Sequence, residues 1–213
     1  MSMKVLWVVV LLSLGVYAVE FEEAVEDYKQ GAYIKALNAF YVLAKEKNAK
    51  AQYNLALMYA NGLGAQKDMA QARQWYEKAA KQGNALAQYN LAHIYYGYGK
   101  RDVHAYEKAK YWYEKAVASG LKEAYNNLGV LYLEGKGVKE DEQKAFALFE
   151  KGAQKGDAAA SFNAALLYAW GKKVPQDKLK AYDYLQVAVK NGKMVASKYL
   201  DKLCKESAWV CRK

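Results

Sequence analysis

Apolar residues recur three and four positions apart through most of the chain, which is the spacing of one face of an α-helix. In residues 53–59 the pattern places Leu55 four residues before Tyr59. A second segment carries apolar residues at the same spacing: Ala72, Trp75, Tyr76 and Ala79. A glycine-rich stretch at 61–64 separates the two segments. The pattern predicts a pair of helices, here called helix A and helix B.

This helix pair is predicted to occur four times. The phrase at residues 53–59 returns with substitutions at 89–95, 126–132 and 162–168, and its closing tyrosine recurs at intervals of 36, 37 and 36 residues. An alanine of helix B recurs at intervals of 37, 36 and 36 residues: Ala72, Ala109, Ala145 and Ala181. So does a glycine after helix B: Gly83, Gly120, Gly156 and Gly192. A period of this length is typical of stacked helical repeats.

Helix B carries predicted start and stop signals. An aspartate stands four residues before the repeated alanine in three repeats: Asp68, Asp141 and Asp177. Its carboxylate can accept hydrogen bonds from the free amides of the first helical turn, so these residues are predicted N-caps. The glycine after the helix suits a left-handed C-cap. Within helix B, Trp75 and Trp112 are interpreted as core-filling side chains rather than ligand anchors.

The second repeat departs from this pattern. Its loop is two residues longer after the glycines, and position 105, where an aspartate is expected, is Ala105. We expect this loop to protrude as a tolerated surface insertion, with a functional loop as the alternative.

The third repeat, from Ala124 to Gly156, follows almost throughout the pattern A-x-Y-N-L-G-x-x-Y-x-x-G-x-G-V-x-x-D-x-x-K-A-x-x-W-Y-x-K-A-A-x-x-G. In this it resembles the Sel-one-like repeat, a relative of the tetratricopeptide repeat. The resemblance covers about residues 49–193. It implies an all-α fold, an α/α right-handed superhelical solenoid of stacked helix pairs in which helix A lines a concave face.

The repeats and their flanking segments predict the domain organisation. The segment before the repeats resembles an ordinary tetratricopeptide unit, and the segment after them resembles a cap that covers the last repeat. The predicted parts are a signal peptide at 1–18, a tetratricopeptide-like helix pair at 19–48, four Sel-one-like repeats at 49–84, 85–121, 122–157 and 158–193, and a C-terminal capping helix with a cysteine pair at 194–213.

The first residues predict the compartment. Lys4 precedes an apolar run at 5–19, and small residues stand at Val16 and Ala18, the positions that signal peptidase requires. The run has about 15 residues, short of the roughly 20 that a transmembrane helix needs. We predict cleavage after Ala18 and a periplasmic or secreted protein with no transmembrane segment in the mature chain. An uncleaved membrane anchor is the alternative.

Composition and charge narrow the class of partner. Hydrophobic residues make up 54% and charged residues 25%, a globular balance. The net charge is +10, from 32 Lys+Arg against 22 Asp+Glu. The lysines are dispersed, mostly beside glutamates, without the clustered stripe that nucleic acid requires. We therefore predict no nucleic-acid partner, and we expect a monomer.

The two cysteines, Cys204 and Cys211, are seven residues apart. In one unbroken helix their Cα atoms would be about 10.5 Å apart, whereas a disulfide needs roughly 4.4–6.8 Å. A disulfide therefore requires the chain to turn, for which 206–208 is suitable. We predict a structural disulfide, because two cysteines in an oxidising compartment are expected to pair. No metal site and no cofactor are predicted.

No catalytic residue is predicted. Ser119 and Lys122 match a Ser-x-x-Lys pattern but lack its partner motifs. The histidines, His93 and His104, lack a nucleophile and an orienting group. A glutamate recurs in helix B beside a lysine and is interpreted as a solvent-facing ladder: Glu77, Glu114 and Glu150.

A binding surface is predicted on helix A. In tetratricopeptide-like stacks, peptide contacts come from fixed helix A positions. The side chains at those positions in this chain are mostly aromatic and aliphatic, which suits an extended or helical partner segment with apolar anchors. Consensus packing is the alternative role for these aromatic residues. The candidate groove residues are Tyr53, Leu57, Tyr89, His93, Asn126, Val130, Phe162 and Leu166, with Tyr96 and Trp170 near the rim.

These observations favour an exported helical-repeat scaffold that binds a protein or peptide partner through its concave face and is not an enzyme. A cysteine-rich branch of the family has been labelled as β-lactam hydrolases, so a hydrolase acting on β-lactams or cell-wall peptides is one alternative. A cell-wall or glycan-binding module that uses the +10 charge and exposed tyrosines is another.

Overall fold

The computed structural model describes residues 21–211, and no strand occurs among them. The predicted signal peptide at 1–18 lies outside the described residues. Residues 21–29 form helix α1. The helices that follow are α2 (Tyr33–Lys45), α3 (Ala49–Asn61), α4 (Met69–Lys81), α5 (Ala85–Tyr98), α6 (His104–Ala118), α7 (Lys122–Glu134), α8 (Glu142–Gln154), α9 (Ala158–Trp170), α10 (Lys178–Lys190) and α11 (Val195–Glu206), with a 3-10 turn at Ala208–Cys211.

The chain divides into two compact bodies between Leu91 and Ala92. The first body holds α1 to α4 and the start of α5, and the second runs from the rest of α5 to the 3-10 turn. In both bodies helix A precedes helix B of the same repeat and packs against it. Helix A corresponds to α3, α5, α7 and α9, and helix B to α4, α6, α8 and α10.

The core of the first body is built on small residues at the helix contacts. Ala51, Ala56 and Ala72 are fully buried, and Phe40 fills the space between the helices that they bring together. Buried Gln52 donates to the carbonyl oxygen of Ala44 at 3.0 Å, which satisfies its amide away from water.

One helix B position supplies large, fully buried side chains in the second body: Tyr113, Phe149 and Leu185. Gly129 of α7 lies against the ring of Phe149, and a Cβ atom there would collide with it. In the first body the equivalent position is Tyr76, and Trp75 lies one residue before it. Trp75 is 5% exposed, as predicted for a core residue. The prediction for Trp112 is wrong, because its ring is only half-buried and packs edge-on against exposed Tyr111.

The predicted caps of helix B are confirmed. Asp68 accepts from the amides of Ala70 and Gln71 at 2.8 and 2.9 Å. Asp141 and Asp177 cap α8 and α10 in the same way. The glycines that follow helix B all have positive φ, between 81° and 91°: Gly83, Gly120, Gly156 and Gly192. Local sequence therefore sets both ends of helix B.

The prediction of a protruding loop in the second repeat is wrong. Helices α5 and α6 are 14 and 15 residues long, against 13 for the other helices of the repeats. They absorb the extra residues and leave a short connection at 99–103. The N-cap of α6 is Val103, which makes no side-chain bond, and Asp102 just before it accepts from the amide of His104 at 3.1 Å.

The C-terminal segment covers the end of the second body. The chain turns at Ser207 after α11, and Cys204 and Cys211 form a disulfide with their Cα atoms 5.8 Å apart. The bond holds the 3-10 turn against the helices, where Val210 is fully buried in a cluster with Leu185 and Leu203. Lys178 donates to the hydroxyl of Ser207 at 2.7 Å.

Replacement of both cysteines, Cys204→Ser with Cys211→Ser, should lower the free energy of unfolding by about 2–3 kcal/mol, because the bond restricts the unfolded chain and holds Val210 in place. Urea unfolding of the wild type and the variant, followed by circular dichroism, measures the difference. Val210→Ala with the disulfide intact separates the packing contribution. An unchanged unfolding midpoint in the double serine variant would contradict a structural role.

Candidate functional site

The candidate groove residues of the first body are half-buried: Tyr53, Leu57 and Tyr89. The ring centroid of Tyr53 lies 5.9 Å from that of Tyr76. Burial raises the pKa of both phenol groups above the ordinary value, and the Asn90 side chain hydrogen-bonds each of them. Tyr53 is therefore held by the fold and also retains an accessible edge.

The candidate groove residues of the second body have distinct surroundings. His93 is exposed on α5. Tyr96 accepts a hydrogen bond from Lys136 at 3.0 Å and donates to Glu134 at 3.3 Å. Lys136 also pairs with Glu134 at 2.7 Å, and these bonds raise the pKa of the Lys136 ammonium group. The position of Tyr96 is thus fixed by a polar cluster.

Asparagine side chains link successive A helices in the second body. Asn163 of α9 donates to the side-chain oxygen of Asn126 at 2.8 Å, and Asn126 donates to Asn127 at 3.0 Å. Asn127 in turn donates to the hydroxyl of Tyr113 at 3.3 Å. The sequence signal for this network is an asparagine that recurs in helix A: Asn54, Asn90, Asn127 and Asn163. Asn126 is therefore part of a structural network.

Aromatic side chains meet at the C-terminal end of the second body. Tyr199 of α11, which the sequence did not indicate, packs edge-on against Phe162 and Trp170 at centroid distances of 5.1 and 6.2 Å. The indole nitrogen of Trp170 donates to Glu206 at 2.9 Å. All three rings are half-buried, as are Leu166 on α9 and Val130 on α7. This cluster combines accessible aromatic surface with fixed geometry.

The interpretation of the helix B glutamates as a solvent-facing ladder is wrong for Glu150. Its carboxylate accepts a hydrogen bond from the hydroxyl of Tyr168 at 2.5 Å. Burial, and then this bond, raise the pKa of the Tyr168 phenol above its ordinary value. Lys180 lies over the same ring, 5.2 Å from its centroid. Glu77 and Glu114 pair with lysines of their own helices, as a solvent-facing position allows.

No set of three or more His, Cys, Asp or Glu side chains that could hold a metal ion occurs in residues 21–211. None of the helices in this range is long and apolar enough to cross a membrane.

The repeated helix pairs, each with helix A packed against helix B, define a helical-repeat scaffold. The Sel1 repeat family matches residues 49–84, 85–121, 122–157 and 158–193, so the chain belongs to the Sel1 repeat family. Sel1 repeats typically mediate protein–protein interaction and are generally not enzymes. No curated protein matches the chain in sequence.

Solved structures share the fold. A Sel1 repeat protein from Oxalobacter formigenes is 32% identical with a TM-score of 0.81, and the match covers 91% of this chain and 81% of the other. The protective antigen c5321 of uropathogenic Escherichia coli, which displays an SLR fold, is 34% identical with a TM-score of 0.82. That match covers 89% of this chain but only 42% of the antigen.

A third match is more distant. The immunity protein Pa5087 from Pseudomonas aeruginosa is 23% identical with a TM-score of 0.54, over 82% of this chain and 68% of the other, and shows the fold alone. Together with the described helices, the closer matches confirm the predicted all-α solenoid class of stacked helix pairs.

Tyr168→Phe should lower the free energy of unfolding by about 1 kcal/mol, because Glu150 loses its donor in a half-buried site. Chemical denaturation of the two proteins measures the change. Tyr182→Phe is a matched control, because its hydroxyl accepts a hydrogen bond from Gln186 of the same helix. Equal stability of the Tyr168 variant and the wild type would show that the Glu150 bond is not structural.

Proposed function

We propose that this chain is an exported Sel1 repeat scaffold that binds another protein through one face of its A helices. The observation that carries the proposal is that one helix A position, held by Leu57, Val130 and Leu166, keeps a half-buried apolar side chain although both adjacent residues are buried. In α7, Val130 is half-buried between Gly129 and Leu131, both of which are buried. In α9, Leu166 lies in the same way between Ala165 and Leu167.

Accessible apolar side chains at fixed positions are suited to protein recognition. Rigid helices hold them, so little side-chain freedom is lost on binding. Aromatic residues are enriched among the side chains that dominate binding energy. The predicted groove residues remain the proposed contact set: Tyr53, Leu57 and Tyr89 in the first body, and His93, Tyr96, Asn126, Val130, Phe162, Leu166 and Trp170 in the second.

Export is the second part of the proposal. With it we propose the predicted domain organisation: a signal at 1–18, a helix pair at 19–48, the repeats at 49–193 and a cap at 194–213. The charged and apolar pattern of the first residues supports it, as does the Cys204–Cys211 disulfide, since such bonds persist in oxidising compartments. The antigen from uropathogenic Escherichia coli is described as protective. An exported location of this chain agrees with that description.

Binding is tested by affinity capture from cell-envelope extract. Val130→Ser with Leu166→Ser should reduce recovery of a specific partner about tenfold or more, because each substitution removes apolar contact area. The matched control is Leu179→Ser with Val187→Ser, which changes two exposed apolar residues of helix α10. All variants must retain the helical circular-dichroism signal. Equal loss of the partner in both variants, or in neither, would contradict binding through helix A.

Export is tested by N-terminal sequencing of the protein purified from its natural host. We expect the mature chain to begin at Val19, because Val16 and Ala18 provide the small residues that signal peptidase requires. An intact Met1 would contradict a cleaved, exported product.

A further inference from the structure

Helix α11 continues the register of the A helices, but it changes the chemistry of the candidate groove. Lys198 stands 36 residues after Phe162, and Lys202 stands 36 residues after Leu166. Both positions are aromatic or aliphatic in α9 and cationic in α11. Helix α11 therefore places ammonium groups where α9 places apolar side chains.

Three lysines form one face of α11. Lys198, Lys202 and Lys205 follow each other at spacings of four and three, so their side chains lie on the same side of the helix. All three are exposed. They border a surface depression of about 480 Å³ together with Tyr199 and Asp201. We call the three residues the α11 lysine face.

The net charge of residues 92–213 is also positive. From Ala92 to the end, the chain has 22 Lys+Arg against 14 Asp+Glu, so this part carries +8 of the net +10. Within the depression, three ammonium groups stand against the single carboxylate of Asp201. The depression therefore has an excess of positive charge that attracts carboxylates.

An aromatic surface adjoins the α11 lysine face. The ammonium group of Lys202 lies 4.6 Å from the ring centroid of Trp170, and that of Lys193 lies 5.8 Å from the centroid of Phe162. Tyr199 packs against both rings. Lys202 also pairs with Glu206 at a long distance of 3.8 Å, with both side chains about half exposed. Its charge is therefore only weakly neutralised.

We propose that the α11 lysine face and the adjoining rings bind an acidic segment of a partner protein. The carboxylates of the segment contact Lys198, Lys202 and Lys205, and an apolar or aromatic side chain of the segment packs on Tyr199 and Trp170. This inference rests on the proposed scaffold function and names the chemistry of the partner at one end of its binding site.

An acidic protein segment fits this surface better than an anionic membrane does. Asp201 lies among the lysines and would face the negative charge of lipid headgroups. A peptide can direct its carboxylates to the lysines and an apolar residue elsewhere. The adjoining aromatic rings also offer a contact for a side chain that a headgroup lacks.

The first experiment uses a fluorescently labelled peptide in which glutamates alternate with phenylalanines, and a second peptide with lysines in place of the glutamates. Binding to the full mature chain is measured by fluorescence anisotropy at low and at physiological ionic strength. We expect binding of the acidic peptide alone, with affinity that falls as salt rises. Absence of binding, or equal binding of both peptides, would overturn the proposal.

Variants locate the site. Combined Lys198→Glu, Lys202→Glu and Lys205→Glu should weaken binding of the acidic peptide about tenfold or more. The matched control, Lys139→Glu with Lys151→Glu and Lys155→Glu, changes the net charge equally at exposed lysines of the same body. Replacement of the three α11 lysines by arginine should retain binding. Equal weakening in the glutamate variant and its control would show a net-charge effect and overturn the site.

Two outcomes separate this inference from others. Vesicles containing phosphatidylglycerol that bind the wild type but not the α11 glutamate variant, while the acidic peptide does not bind, would assign the surface to a membrane. A captured partner that is lost with Val130→Ser and Leu166→Ser but retained with the α11 glutamate variant would overturn this inference and leave the proposed scaffold function intact.

Discussion

Close contact between helices at small residues is the constraint on which each body of this protein depends. A single helix pair is too small to bury its apolar face, so each pair must be covered by its neighbours. Fully buried alanines permit this approach, as at Ala72 in the first body and at Ala145 and Ala181 in the second. Where α7 approaches the ring of Phe149, even an alanine is too large, and Gly129 takes the position.

Hydrogen bonds between polar side chains fix the relative positions of the packed helices, and apolar contact alone does not do this. The bond from Asn163 to Asn126 fixes the position of α9 relative to α7, because a shift of either helix would leave half-buried amides unpaired. The bond from Tyr168 to Glu150 does the same between α9 and α8. These links hold α7, α8 and α9 in register, and they thereby hold in place Val130, Phe162 and Leu166, which we propose for binding.

The parts of the fold that sequence could predict are those set by nearby residues. The repeat period, the aspartate caps and the positive-φ glycines are local, and the structure confirms the caps and the glycine conformations. The environment of Trp112 depends on which neighbouring helix B residue occupies the deepest position, and that position belongs to Tyr113. The prediction for the second-repeat loop is wrong because added residues can lengthen either the helices or the loop, and composition alone does not decide between the two.

The candidate site is less predictable than the fold, because its geometry depends on contacts between helices and not on nearby residues alone. Position along helix A indicated which side chains are half-exposed, but their partners lie on other helices, as with Tyr199 against Phe162. A repeat pattern describes what the units share, whereas the proposed acidic-segment site arises where α11 differs from them. Lys198 and Lys202 stand out only when the register is carried one step past the last matched repeat.

The disulfide at α11 has a consequence for how such a stack opens. In an array whose contacts join mainly neighbouring helices, local unfolding begins at the ends, because an end helix has a neighbour on one side only. The Cys204–Cys211 bond holds Val210 beneath the terminal helix and so opposes fraying at that end. A cross-link that closes only seven residues can therefore extend the lifetime of a much longer ordered surface.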